Sequence, residues 1–597
     1  ECDWSSDVCS SDLNFLQSLI ILLAVTFTTQ VNGQRYMTEI FDSFVLIEDV
    51  TYGVNVSPLI STFPNPTDPA QMAQWEAEMI FLNGLIAASV TNPDTLLSYM
   101  NFFAPNSMIP DSAYWTMVKI TPLEMDIYTP PASDDVTDRP VWINVHTGNF
   151  LPPLFNGAIT GNKTDSVGVN ICKQMAKRGY VAINVNYRLG WNPISTDPNV
   201  RRGTLLQAVY RALHDVQTAV RFMRSPVGAQ FGINPDKIAL IGQGSGGYVT
   251  QAYTTLSDYN TEIAGLAKFI NTETGLPFVL EAVDGTIDGG AGFLRLNDPL
   301  YMLGLPKDVS MSVNLGGSLA DSSWLNQGEV AMVAFHCVRD PYAPFDHGMV
   351  VVPTTNENVV PVSGGNVFIR KANEFGNNDA FSSIADGDAY TDAARATYGQ
   401  TYEYIYASQP EITVSAHPEG LYPFVLPLNG DGPAGVFGNQ GSPWDWWDYA
   451  TLEAVVAATN ATMGTDFDAA LLNGSGLLSN PDMSQEKGLT YLDTVQGYLQ
   501  PRAILQLELA TGIGESIEVR DAMKIYPNPS VGYVVIENDK ADMSEIVFMD
   551  GIGRVVFTTE VEGSQYTLNH SGWKTGIYFV TVMFEEGGQL TKKLIIK

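Results

Sequence analysis

Between residues 120 and 420, short apolar runs alternate with stretches of helical period. The runs Val141–His146 (VWINVH), Tyr180–Arg188, Lys237–Gly242 (KIALIG), Met311–Gly317, Val330–His336 and Ile412–His417 (ITVSAH) read as buried strands. Between the second and third, Leu205, Val209, Leu213, Val216, Val220 and Met223 recur at spacings of three and four, which predicts an amphipathic helix. Strands and helices in alternation predict an α/β fold, a mostly parallel sheet with helices on both faces. Past Val519 the period becomes two. Val534 and Ile536, Ile546 and Phe548, Tyr578, Val580 and Val582, and Leu594 and Ile596 point one way, with Gly, Asn and Pro turns between them. That pattern predicts a small all-β sandwich over 519–597.

A third pattern lies near the start. Leu16–Thr29 (LQSLIILLAVTFTT) is too short to span a bilayer but suits the core of a signal peptide over 14–33, with cleavage before Gln34. Residues 1–13 (ECDWSSDVCSSDL) resemble translated adaptor sequence and are set aside. No later stretch reads as a transmembrane helix. A chain of 597 residues calls for more than one domain, and the α/β part is expected over 35–515, with insertions near 53–114 and 254–305. Charge narrows the partners: 65 acidic against 31 basic residues give a net −34, which repels a nucleic-acid backbone. Of the four cysteines, Cys172 and Cys337 sit in apolar contexts and read as small buried side chains.

The motifs in these elements carry two resemblances. YPNP at Tyr526–Pro529, the turn Gly551–Arg554, GIYFV and the terminal KKLIIK resemble, in order, the C-terminal sorting domain of the type IX secretion system. This implies a secreted or surface location and the type IX machinery as partner. In the central region, LEMDIYTP (Leu123–Pro130), HTGNF (His146–Phe150), KRGYVAINVNYRLG, the run from Leu213 to Gly247 and FHCVRDPYAPFDHG (Phe335–Gly348) resemble α/β-hydrolases of the carboxylesterase and hormone-sensitive-lipase-like kind. The resemblance implies a serine nucleophile on a strand-to-helix elbow, then an acid, then a histidine. It also implies an oxyanion loop at His146, Thr147, Gly148 and Asn149, and a small ester or surface ligand.

The elbow needs small residues two before and two after its apex, because strand and helix pack against the turn. In GQGSGG, an apex at 244 finds Gly242 and Gly246 there; an apex at Ser245 finds Gly247 behind but Gln243 in front. Counting from Asp236 favours the first register, which places Gly244 where the family has its serine. Losing a serine nucleophile costs roughly a millionfold in turnover. Two readings follow: a degenerate esterase kept as a binding or surface protein, and an active serine ester hydrolase using Ser245, Asp340 and His417. Asp340 matches the family acid just past its strand, with a turn-capping carboxylate as the bland reading. His417 is the best-placed downstream histidine, with His347 in reserve. His146 and His336 read as structural and His214 as solvated or capping. Ser318 and Ser475 do not sit in elbow contexts, Ser475 reading as loop.

The tryptophans of PWDWWDY (Pro443–Tyr449) read as a packed lid rather than a sugar platform. Asp386–Asp392 lacks the glycine and terminal glutamate of a calcium loop and reads as an acidic turn. No zinc spacing or P-loop is present, and the GxGxxG match at Gly242–Gly247 is explained by the elbow, so no metal or cofactor is expected.

Overall fold

The computed structural model describes residues 35–57, 67–89, 120–352, 357–406, 409–428, 439–509, 522–550, 554–584 and 589–597. The segments expected to be adaptor and signal peptide lie outside these. Phe41–Leu507 forms one compact unit, and the residues from Glu508 onward fall in another.

The first unit is built on eight strands: β1 (Val45–Val56), β2 (Ile120–Thr129), β3 (Arg139–Val145), β4 (Val181–Val185), β5 (Ile233–Gln243), β6 (Met311–Leu315), β7 (Ala331–Cys337) and, farther on, Leu421–Phe424. Their order is β1-β2-β4-β3-β5-β6-β7 with Leu421–Phe424 at the edge. The pairs from β4 onward are parallel, while β1 and β2 join antiparallel. Alternation along each strand sends side chains to two faces. Val141, Ile143, Val145, Ile183 and Leu240 share a core with Leu213, Val216 and Val220 of the long helix Pro198–Arg224. On the other face Asn144 and Asn184 lie under the helix Ser166–Lys177, so close that a Cβ on Gly168 would meet both amides. This is the α/β-hydrolase fold.

One expected strand is corrected. Ile412–His417 does not enter the central sheet. Gln409–Thr413 pairs antiparallel with Thr401–Tyr406 in a separate hairpin, and the eighth strand is Leu421–Phe424. Pro423 can sit in it because this strand has a neighbour on one side only. Within the expected insertions, Gly53–Val56 continues β1, Pro69–Ser89 is a helix, and 254–305 forms short helical turns.

In the second unit, Met523–Tyr526, Tyr533–Asn538 and Gln565–Asn569 form one antiparallel sheet, and Met543–Asp550, Val555–Gly563, Gly576–Phe584 and Gln589–Ile596 form another. Val534, Ile536, Ile546, Phe548, Tyr578, Val580, Val582, Leu594 and Ile596 all lie in the core between them. The period-two reading therefore assigned every inward position it named.

Candidate functional site

Register brings the site together. Val145 at the end of β3 stands beside Gly242 of β5, so His146–Thr147 and Gln243–Gly244 leave the sheet side by side. On the other flank the Gly244 amide donates to the Leu315 carbonyl at 2.9 Å, and Gly316 to Phe335 at 2.8 Å. Four strand ends thus open onto one cavity of about 600 Å³, whose lining includes Thr147, Gly244, Ser245, Gly316, Asp340 and Asp445.

The turn from β5 into the helix Ser245–Thr255 has its apex at Gly244, with φ 48° and ψ −113°. Such a backbone is sparsely populated by residues with a Cβ. The residues flanking it at two positions obey the elbow's steric demand. A Cβ on Gly242 would overlap Gly246, and one on Gly246 would overlap the Val145 carbonyl. Gln243, by contrast, has room: its Nε2 donates to Asn144 Oδ1 at 3.0 Å, and Asn144 in turn donates to Asn184 at 2.6 Å. A Cβ on Gly244 itself would overlap the Thr147 hydroxyl and lie 3.3 Å from Thr147 Cβ. Thr147 therefore fills the space above the apex.

Ser245 is the first residue of the helix and is buried. Its Oγ lies 3.3 Å from the Tyr187 hydroxyl, which donates to the His146 carbonyl at 3.0 Å. The serine proton therefore points at a phenol oxygen. Burial raises the Tyr187 pKa further, the hydrogen bond from Ser245 only partly opposing it. His146 stacks on Tyr187 at 4.2 Å and gives its Nδ1 hydrogen to the Thr147 carbonyl. Burial pushes its pKa down to about 4.

Asp340 sits in the turn after β7. Its Oδ1 accepts from the Tyr342 and Ala343 amides at 2.8 and 2.9 Å. Oδ2 is 3.9 Å from His336 Nε2, but that nitrogen donates to the Ala343 carbonyl at 3.0 Å. Burial pushes Asp340 up to about 7, against the pull of its two backbone donors. Asp445, another carboxylate in the lining, is likewise pushed up by burial to about 7.

His417 is not part of this group. It is exposed and precedes Leu421–Phe424, a strand parallel to β7, whereas Gly244 and Asp340 follow their strands. It stands at the opposite end of the sheet. The reading through Ser245, Asp340 and His417 is corrected on that ground. Past Leu421–Phe424, the stretch that returns to Asp340 carries Gly441, whose Cβ would come 3.5 Å from Asp340 Oδ1, and no histidine occurs between His417 and His570.

Other expectations resolve as follows. His347 is exposed at the start of a hairpin. His214, read as solvated or capping, is instead fully buried inside the long helix, its Nε2 on the Thr286 carbonyl. Ser475 lies in the helix Ala469–Ser479 rather than a loop, and lines the cavity. Ser318 gives its hydroxyl to the Pro344 carbonyl. Cys172 and Cys337 are free and buried. Trp444 and Trp446 pack inward while Trp447 walls the cavity. Asp388 caps the helix Ala389–Arg395 through the Thr391 amide. Among the described residues no group of three His, Cys, Asp or Glu is placed to hold a metal, and no helix is long and apolar enough to cross a membrane. Sequence reasoning missed two features, Thr147 seated over the apex and Asp445 in the lining. Only the register of β3 against β5 reveals the first.

Residues 125–283 match the family model described as BD-FAE, and residues 524–597 match the secretion system C-terminal sorting domain. No curated protein matches the chain. Similar solved structures include apo Thermogutta terrifontis esterase 2, at 16% identity over 38% of this chain and 70% of that one, with a TM-score of 0.25. The same esterase phosphorylated by paraoxon matches at 16% over 38% and 69%, TM-score 0.25, and its propionate-bound form at 15% over 38% and 70%, TM-score 0.24. The chain joins an esterase-like domain of the α/β-hydrolase superfamily to a C-terminal sorting domain that marks it for type IX secretion.

Proposed function

We propose that this exported protein binds a small apolar ligand in the esterase-type pocket without hydrolysing esters. The observation that carries the reading is the elbow apex. It is a glycine in a backbone conformation unfavourable to side chains, and the Thr147 hydroxyl occupies the space a serine there would need. The histidines support it, because none follows His417 before His570, and the imidazole beside Asp340, that of His336, is buried with its Nε2 given to the Ala343 carbonyl. The cavity has the size of a small-molecule site. Its described lining holds Asp340 and Asp445 but no Lys, Arg or His, which favours a neutral ligand or one with a hydrogen-bond donor over an anion.

The test is turnover of short p-nitrophenyl esters by the purified chain and by Ser245→Ala, beside labelling with a fluorophosphonate. Equal background rates and no labelled serine are expected, with p-nitrophenyl butyrate recovered intact from the bound fraction. Turnover abolished by Ser245→Ala, or a label on Ser245, would replace this reading with an active esterase.

A further inference from the structure

A second cavity, of about 400 Å³, lies beside the long helix, between Gly190–Asn192 and the turns around Asp284 and Arg295. Its lining carries two guanidinium groups, Arg211 and Arg295, against one carboxylate, Asp284. The neighbouring charges are already matched. Arg188 pairs with Asp215 at 2.7 Å and Arg221 with Asp298 at 3.1 Å, all four side chains buried. His214, which packs against Tyr210 nearby, is held neutral by burial and by the fields of Arg295 and Arg188.

Arg211 and Arg295 form no ion pair among the described residues. Arg211 gives one Nη2 hydrogen to the Gly190 carbonyl and Arg295 an Nη1 hydrogen to Gly290, while the Nε of each finds no acceptor. Asp284 spends Oδ2 on the Leu280 amide. Arg295 is 2% exposed, and burial with the neighbouring Arg188 pushes both guanidinium groups down to about 10. Even so lowered they remain charged at neutral pH. Arginine does not escape burial by neutralising as lysine does, so Arg295, buried, and Arg211, partly buried, keep their charge and favour an anionic occupant. Two arginines against one aspartate leave an excess of one.

We infer that this cavity binds a small monoanionic organic carboxylate between Arg211 and Arg295. Planar guanidinium forks suit a carboxylate's two oxygens. Val56, Trp191 and Leu294 offer the organic part an apolar wall. The site is separate from the esterase-type pocket, though Trp191 lines both.

Calorimetric titration of the full chain with benzoate at pH 7 and constant ionic strength tests this, with benzyl alcohol as the neutral control. Benzoate should bind with at least tenfold higher affinity than benzyl alcohol. Arg295→Met and Arg211→Met should each weaken benzoate at least tenfold and leave benzyl alcohol unchanged. Asp284→Asn, which removes the competing negative charge, should tighten benzoate severalfold, an effect no folding defect imitates. Absence of benzoate binding to the unmodified chain overturns the inference. So does affinity unchanged across all three variants, or a neutral control that binds equally well.

Discussion

Gly244→Ser puts a hydroxyl at the elbow apex, and the structure sets what that change does. The apex backbone, at φ 48° and ψ −113°, costs a side-chain-bearing residue about 1–3 kcal/mol. The new Cβ also overlaps the Thr147 hydroxyl and sits 3.3 Å from Thr147 Cβ, and overpacking of that kind adds about 1–3 kcal/mol. The sum is a destabilisation of about 2–6 kcal/mol. Thr147→Ala removes the hydroxyl and the γ-methyl but not the strain. In a double-mutant cycle followed by urea denaturation, the pair should recover at least ~1 kcal/mol of coupling. Ester turnover by Gly244→Ser/Thr147→Ala should stay at background, because the imidazole beside Asp340, that of His336, is buried and committed to the Ala343 carbonyl. If Gly244→Ser is within about 0.5 kcal/mol of the unmodified chain, the range of an ordinary surface change, the apex lies elsewhere and the steric argument fails. If the double variant turns over esters, the argument from the committed imidazole fails.

Asp340 makes stability depend on pH. Its folded pKa of about 7 exceeds the ordinary 3.8, so its contribution is fully present below pH 4 and is lost as pH rises through 7. Asp340→Asn should equal the native chain in stability near pH 4 and gain on it by up to about 4 kcal/mol at pH 8, as read by denaturant melts; a difference independent of pH would refute the burial argument. Asp215→Asn leaves the Arg188 guanidinium, fully buried, without its carboxylate and should destabilise by about 3–5 kcal/mol. A loss below about 1 kcal/mol there would mean the pair is solvated.

How legible the site was varied by residue. Gly242, Gly244 and Gly246 were legible as an elbow because close approach of strand and helix forbids a Cβ at fixed spacing, and spacing is written in the chain. Asp340 was named from the resemblance, and the structure puts it in the turn after its strand, on the cavity lining. His417 was misplaced for a different reason. Ile412–His417 and Leu421–Phe424 are both short apolar runs, and hydrophobic pattern says that a run is buried without saying which neighbour it pairs with. The choice of the second run moved the sheet's last strand past His417 and so sent that histidine to the far end. His214 failed similarly. Its helix position says nothing of the turn at Thr286 that folds over it.

Local periodicity established the alternation of strand and helix and the inward faces of the β-sandwich, and the resemblance to the family's elbow implied the glycine apex, since each depends on residues within a few positions of one another. Contacts between residues distant in the chain decided the rest: Thr147 over Gly244, the end of the sheet on which each histidine falls, and the unmatched arginines of the second cavity. Those depend on strand register and on insertions folding back, which are set by packing energies summed over the whole core rather than by any short stretch of sequence.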